Sequence, residues 1–194
     1  DATLRHHVAT FGGEIVRITP RLAFEAPGGD AELTGVYFAD AGQYIENRLL
    51  VDHAVPNCRS NVLYKGALQG DKASKLPEAR TCWVGDVLIR AEAKGTDTYE
   101  TNRNLVLTDG ARADAIPNLE IETGEIAGAG HAATVGRFDD DQLFYLRSRG
   151  IREEDATRLI IRGFFNEVLN QIPVESIREE LIARVAGELE RNEN

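Results

Sequence analysis

The sequence has few of the features that most directly reveal a function. It contains no methionine and only two cysteines, Cys58 and Cys82, which are too few to hold a metal cluster from this chain alone. Isolated thiols of this kind are typical of reduced structural cysteines in a cytosolic protein. Position 1 is occupied by Asp1 and no methionine follows it, so we expect the chain to be a fragment of a longer protein.

Long apolar runs are also missing. No segment approaches the roughly 18 consecutive apolar residues that a membrane helix needs, and the first residues have no signal-peptide character. We therefore expect a cytoplasmic protein without a membrane partner. The net charge of −10 opposes attraction to phosphate backbones, so nucleic acid is disfavoured as a partner as well.

None of the standard catalytic signatures occurs in the sequence. It has no glycine-rich phosphate loop ending in Gly-Lys, no GxSxG nucleophile elbow and no HExxH zinc helix. The composition, with 42% hydrophobic and 28% charged residues, is that of an ordinary globular protein. The absence of these motifs favours a non-enzymatic role.

The first two thirds of the chain are written in the period of β-strands. Ile45, Leu49 and Val51 would point to one side of an extended chain, and glycine-containing turns recur too often to leave room for helices. A sandwich, a barrel and a β-solenoid all fit this mainly β pattern. Small residues are frequent and aromatic residues few along the strands, which favours a solenoid with a narrow interior, although no fixed repeat length is visible.

The pattern changes to a helical period after Arg137. We therefore divide the chain into a β core, residues 1–136, and a C-terminal helical domain, residues 137–194, and we expect the helices to cap the end of the β core. Three helices are predicted: one from Asp139–Asp141 to Gly150, one from Glu153 to Pro173, and one that begins with the capping-box pair Ser176 and Glu179.

His131 is the main candidate functional residue. It lies in a run of mostly glycine and alanine, residues 127–134, with Glu120, Glu122 and Glu125 just upstream. Small neighbours leave an imidazole open to a ligand, and nearby carboxylates would favour its protonated form or help to hold a cation. On the residues alone, a packed structural histidine remains the alternative.

A second candidate site combines three residue types within seven positions. Asp52, His53 and Cys58 offer a carboxylate, an imidazole and a thiol, which could form a metal site or activate the cysteine. The alternative is a strand that ends in a polar turn before Pro56.

Three segments of the sequence resemble the SufB/SufD family. The run from Val51 to Gly66 is similar to the family pattern DH..P.C.S…YKG, and residues 104–121 are similar to NLLLS…P.LEI. Residues 131–151 match HGATVG…D…FYLRSRGI almost letter for letter. The wording of the last two segments resembles SufD members of the family rather than SufB members. One departure is Ala129, which stands where many SufD relatives have a cysteine.

The resemblance implies a right-handed parallel β-helix followed by a helical C-terminal domain. It also implies a non-catalytic subunit of the Suf iron–sulfur cluster assembly complex, which pairs with the scaffold SufB through the end of the β-helix. His131 would then lie at the junction, where it helps to acquire iron. The iron or cluster would be transient and shared with SufB, so no cofactor is expected to be firmly bound to this chain, and binding of a flavin by the complex is left open.

The resemblance further implies that SufC, an ABC-type ATPase, docks on the C-terminal helices. For that contact we predict four residues of the FYLRSRGI segment: Phe144, Tyr145, Arg147 and Arg149. Two other functions stay open. One is a homomeric β-helix module, for example a homodimer, without a role in metal binding; the other is a β-helix enzyme that acts on polysaccharides.

Overall fold

The computed structural model describes residues 2–71, 73, 75–138 and 140–190. Ten β-strands come first and three α-helices follow them, so the mainly β class and the late change to helix are confirmed. The strands are β1 (Thr3–Phe11), β2 (Ile15–Ile18), β3 (Arg21–Phe24), β4 (Asp30–Ala39), β5 (Tyr44–His53), β6 (Arg59–Leu68), β7 (Ala79–Ile89), β8 (Asp97–Val106), β9 (Ala111–Ile121) and β10 (Gly128–Arg137); the helices are α1 (Asp140–Ser148), α2 (Glu153–Leu169) and α3 (Glu175–Glu190).

The strands form a parallel β-solenoid with two faces. The first sheet has the order β1-β4-β6-β8-β10, and the second has the order β2-β5-β7-β9, with β3 also paired to β5. All neighbouring strands run parallel, because each turn of the chain adds one strand to each sheet before the next turn stacks on it. The predicted solenoid is thus the observed fold.

The spacing between stacked strands explains why no sequence repeat was visible. Along the first sheet the register joins Thr3 to Asp30, Asp30 to Arg59, Arg59 to Asp97 and Asp97 to Gly128. These steps are 27, 29, 38 and 31 residues long. The strands repeat regularly in space, but the turns between them differ in length, so the sequence carries no constant period.

Alternation along the strands places one set of side chains inside the solenoid. Ile45, Leu49 and Val51 are fully buried there, as the period of two predicted. The interior between the sheets also encloses large aromatic side chains, including Tyr64 and Trp83, whose ring centroids lie 6.2 Å apart. Burial of this apolar surface is the main contribution to the stability of the solenoid.

Helix α2 packs on the outer face of the first sheet, and α1 and α3 pack on α2, so the expectation that the helices cap the end of the β core is wrong. Phe38 and Leu63 point outward from β4 and β6 and share a second apolar core with Phe165 of α2. Lys65 of β6 adds a polar link, because its ammonium group donates to the backbone carbonyl of Phe164 at 2.7 Å. An amphipathic helix buries its apolar stripe on whatever apolar surface is adjacent, and here that surface is the sheet.

The helix boundaries agree with most of the sequence signals. Gly150 follows α1 with a φ of 85°, and its N–H bonds to the carbonyl of Arg147 at 2.9 Å, as expected of a glycine that ends a helix. Ser176 lies within α3, which begins at Glu175, so it does not occupy the predicted N-cap position. Asp139 lies outside the described residues. Across the described part of the chain, no helix has the length and apolar character needed to cross a membrane.

Candidate functional site at the open end of the solenoid

The last coil of the solenoid, formed by β9 and β10, leaves the interior open. In the sheets as described, β9 and β10 each have a strand neighbour on one side only. Their inward positions carry mainly small side chains, such as Ala113 and Ala133, and Val135 on the same face is 50% exposed. We call this surface of β9 and β10 the open end.

His131 stands at the open end, on the inward face of β10. In the strand register it lies directly above Glu100 of β8, and the His131 Nδ1 atom is 3.9 Å from the Glu100 Oε1 atom. The imidazole side chain is 42% exposed, whereas the Glu100 side chain is fully buried. The pair therefore has one member that faces outward and one that is closed within the solenoid.

Glu100 is an unusual carboxyl group for its position. Neither of its oxygens has a hydrogen-bond partner among the described residues. Burial raises its pKa to about 8, and the negative charge of Asp86 adds to the effect. Space for the carboxyl group exists beside Trp83 because position 85 is a glycine, where a Cβ atom would lie within 2.3 Å of Glu100 Oε2.

The three carboxylates just upstream of His131 in the sequence make other contacts or face outward. Glu125 pairs with Lys94 at 2.7 Å, Glu122 accepts a hydrogen bond from a backbone N–H, and Glu120 is exposed on β9. In a stacked solenoid the spatial neighbour of a residue is its partner one coil earlier, here 31 positions back. The alternation that places Glu100 on the inward face of β8 was the signal that could have found it.

The three residues of the second candidate site are not brought together. Asp52 lies on the outer face of β5 and accepts hydrogen bonds from Nε and one terminal nitrogen of Arg90, each at 2.8 Å, which lowers its pKa. His53 points inward, stacks on Phe24 and bonds to Ser60 at 2.9 Å, and burial lowers its pKa to about 4. Adjacent residues of a strand face opposite sides, so the carboxylate and the imidazole diverge.

Cys58, the third member of that candidate set, is buried in the apolar core of the solenoid. Its Sγ atom lies 3.6 Å from the backbone carbonyls of Ala26 and Pro56. Among the residues that the structure describes, no group of three or more His, Cys, Asp or Glu side chains is arranged to hold a metal ion. The arrangement around Cys58 is that of a strand end and a turn within a packed core.

The four predicted docking residues belong to one exposed segment around α1. Phe144 is 74% and Tyr145 is 55% exposed. Arg149 lies over the Tyr145 ring at 4.6 Å, and Arg147 pairs with Glu153 of α2 at 3.0 Å. The four residues predicted for docking therefore form an exposed surface of aromatic and cationic side chains.

A feature that the sequence analysis missed is an apolar groove between α2 and α3. Its walls include Leu159 of α2 and Ile182 of α3, with Arg158 and Arg162 at its margin. Leu159 is 51% exposed, which is high for an aliphatic side chain on an amphipathic helix. The two helical patterns indicated an apolar stripe on each helix, but not that the stripes would leave a gap.

The fold and the open end define the chain as a parallel β-solenoid with an uncovered last coil and a helical extension on one sheet. The family model described as SUF system FeS cluster assembly, SufBD core domain, matches residues 1–164. The chain belongs to this SufBD family, which confirms the resemblance found in the sequence motifs.

Named relatives agree with that assignment. A SufBD family iron–sulfur cluster assembly protein of Mycobacterium bovis is 66% identical over 194 residues, which are 100% of this chain and 49% of that protein. The iron–sulfur cluster assembly protein SufD of Escherichia coli is 30% identical over 189 residues, 97% of this chain and 43% of its own length. SufD of Bacillus subtilis is 44% identical over 95 residues, 49% of this chain and 22% of its own length. The chain thus spans about half the length of the curated relatives that it matches along its whole extent.

Proposed function

We propose that this chain is part of a non-catalytic scaffold subunit of a SUF-type iron–sulfur cluster assembly complex. It pairs through its open end with a SufB-like subunit, carries a SufC-like ATPase on its helices, and presents His131 at the junction between the two β-helices. The single observation that carries the proposal is the position of His131, half-exposed on the last strand of a solenoid whose interior is not closed.

The uncovered last coil supports pairing with another β-helix. An exposed strand edge offers unpaired backbone N–H and C=O groups to a further strand, and proteins normally cover or interrupt such edges. Here β9 and β10 form two adjacent edges of this kind, with exposed apolar side chains such as Ile121 and Val135 beside them. A second solenoid docked end to end would satisfy both edges and bury the apolar side chains at once.

The chemistry of His131 supports a role with iron. A neutral imidazole is a common ligand for iron and other transition metals, and this one is accessible at the surface that a partner would cover. Because Ala129 lies two residues before it, the strand itself supplies no thiolate there. Iron or a nascent cluster would be the cargo of this junction, and the partner subunit would contribute the thiolate.

The helical segment supports docking of the ATPase. Phe144 and Tyr145 are exposed aromatic side chains on a short helix, and aromatic residues of this kind are enriched at protein interfaces. The arginines beside them add positive charge to the surface of a chain whose net charge is −10. Closure of two ATPase subunits around ATP would then pull on the helices and shift the paired β-helices towards an open junction.

The pairing is tested with an arginine placed in the open end. In the full-length protein, Ala133→Arg introduces a large charged side chain where a partner strand would pack, and we expect it to abolish co-elution with SufB in size-exclusion chromatography. Glu92→Arg, on an exposed turn between β7 and β8, introduces the same side chain away from the strand edges and is the control. If Ala133→Arg pairs as well as the wild type, the open end is not the interface.

The role of His131 is tested with His131→Ala in the reconstituted complex. We expect the complex to form normally and cluster assembly to fall strongly, because the side chain is half-exposed and contributes little to packing. Unimpaired assembly in an intact complex would refute the role in iron acquisition. A homomeric module is the outcome if the wild type elutes as a homodimer that does not exchange subunits with SufB.

A further inference from the structure

A column of inward-facing side chains runs through the first sheet and ends at the open end. The register stacks Leu33 of β4, Val62 of β6, Glu100 of β8 and His131 of β10. Leu33 and Val62 are buried and apolar, as expected inside a solenoid. The column then changes to a carboxyl group and an imidazole in its last two positions, and the change occurs where the interior meets the outside.

The surroundings of Glu100 do not account for a buried carboxyl group. The side chain is fully buried, and its two oxygens accept no hydrogen bond from any described residue. A buried carboxyl group normally has a hydrogen-bond donor, a positive charge or a metal ion as its partner, because burial without one is costly.

The side chain is nevertheless held in a defined place. The Trp83 ring packs beside it, and Gly85 leaves the volume that the carboxyl group occupies, since an added Cβ would meet both residues within 2.3 Å. Because these residues enclose it, the carboxyl group is held inside the solenoid. In that place, its Oε1 atom lies 3.9 Å from Nδ1 of His131.

The distance between the two side chains suits a shared cation better than a direct hydrogen bond. His131 Nδ1 and Glu100 Oε1 are 3.9 Å apart, which is too long for a hydrogen bond. Metal–nitrogen and metal–oxygen bonds to these groups are each about 2.0–2.2 Å long, so one ion could bind both after a contraction of less than about 1 Å. His131 is exposed on the other side, so an ion can reach the pair from the open end.

We infer that Glu100 is a second protein ligand at the open end, so that one divalent transition-metal ion binds between Glu100 and His131. An imidazole with a carboxylate is a ligand set suited to Fe²⁺, Co²⁺ and Zn²⁺. The two side chains fill only part of the coordination sphere, and water or groups of a docked subunit complete it. The inference deepens the proposed function by naming the group that holds the cargo iron together with His131.

The test uses Co²⁺ as the probe and the full-length protein without partner subunits. Binding is followed by the visible absorption of Co²⁺ and by titration calorimetry under anaerobic conditions. We expect wild-type protein to bind one Co²⁺ per chain, and we expect Glu100→Gln, which has nearly the same shape, to weaken binding at least about tenfold. His131→Ala should weaken it at least as much.

Glu120→Gln is the matched control, because Glu120 is an exposed carboxylate of the last coil that lies away from His131. It should bind Co²⁺ as the wild type does. Thermal unfolding separates a folding defect from a lost ligand: Co²⁺ should raise the melting temperature of the wild type and of Glu120→Gln, but not that of Glu100→Gln.

Two results would overturn the inference: wild-type protein that binds no Co²⁺, or a Glu100→Gln variant that binds it with unchanged affinity. These results are separate from a failure of the proposed scaffold function, because the titration needs neither pairing with SufB nor docking of SufC. Conversely, a Glu100→Gln variant that loses Co²⁺ should still form the complex.

Discussion

The middle coils of the solenoid and its last coil share one strand ladder but differ in how their interiors are filled. In the middle coils, Tyr37, Tyr64 and Trp83 are fully buried between the two sheets. In the last coil, the register places Ala115 of β9 over Trp83 and Ala133 of β10 in the column of Tyr64. The middle coils thus form a core that is complete in itself, whereas the last coil presents an interior that another surface can complete.

Buried polar groups also differ in whether they have a hydrogen-bond partner. In the middle coils the Tyr37 hydroxyl donates to Asn104 at 2.6 Å and accepts from Asn102 at 2.9 Å, and Asn104 donates to Asn102 at 2.6 Å. On the same strand as Asn102 and Asn104, Glu100 has no such partner within the described chain. Other buried polar atoms of the middle coils, such as the Tyr64 hydroxyl and Trp83 Nε1, also have no described partner, but Glu100 is a carboxyl group that lies beside the half-exposed His131.

The largest effect is expected from removing an aromatic side chain of the middle coils. Trp83→Ala would leave a large cavity between the sheets, so it should lower the free energy of unfolding by about 3–5 kcal/mol. Val135→Ala, at the half-exposed open end, should cost less than about 1 kcal/mol. Urea unfolding of both variants measures the difference, and similar losses would show that the last coil is packed as tightly as the middle coils.

The next effect concerns pH and the buried histidine of the middle coils. Burial lowers the pKa of His53 to about 4 from an ordinary value of 6.5, so between these values the unfolded chain binds a proton that the folded chain does not. Stability should therefore fall as the pH drops from 6.5 to 4, by up to about 3 kcal/mol from this residue.

His53→Gln removes the titrating group and is the variant that tests this pH dependence. Its free energy of unfolding should decrease less than that of the wild type over the same pH range. The measurement is urea unfolding at a series of pH values. Parallel pH profiles for the two proteins would contradict the prediction.

The smallest effect is expected from replacing two glycines, one on the inner face of β6 and one on the outer face of β10. A Cβ at Gly66, in the middle coils, would lie 2.0 Å from the Tyr37 ring, so Gly66→Ala should lower stability by about 1–3 kcal/mol. At Gly136, on β10, the nearest atom would be 4.0 Å away, so Gly136→Ala should be neutral or stabilise by up to about 1 kcal/mol. Thermal unfolding of both variants measures the difference, and equal losses would mean that the close contact at Gly66 does not limit what that position accepts.

Much of the fold could be predicted because its signals are local. The inward direction of Ile45 and Leu49 follows from alternation along a strand, and the helix that ends before Gly150 follows from its period and its terminal glycine. The separation of Asp52 from His53 was also contained in the alternation of β5. The position of the helices was not, because an apolar stripe does not specify which of several apolar surfaces will cover it.

The sequence by itself therefore determined the classes of element, their order and the family, and it singled out His131 as a candidate functional residue. Only the tertiary structure decided that the partner of His131 is Glu100 and that the open end is left uncovered by the helices. The physical reason is the stacking of coils. Contacts between coils join residues that are 27 to 38 positions apart in the sequence. These separations depend on the lengths of the turns, which no local sequence pattern encodes.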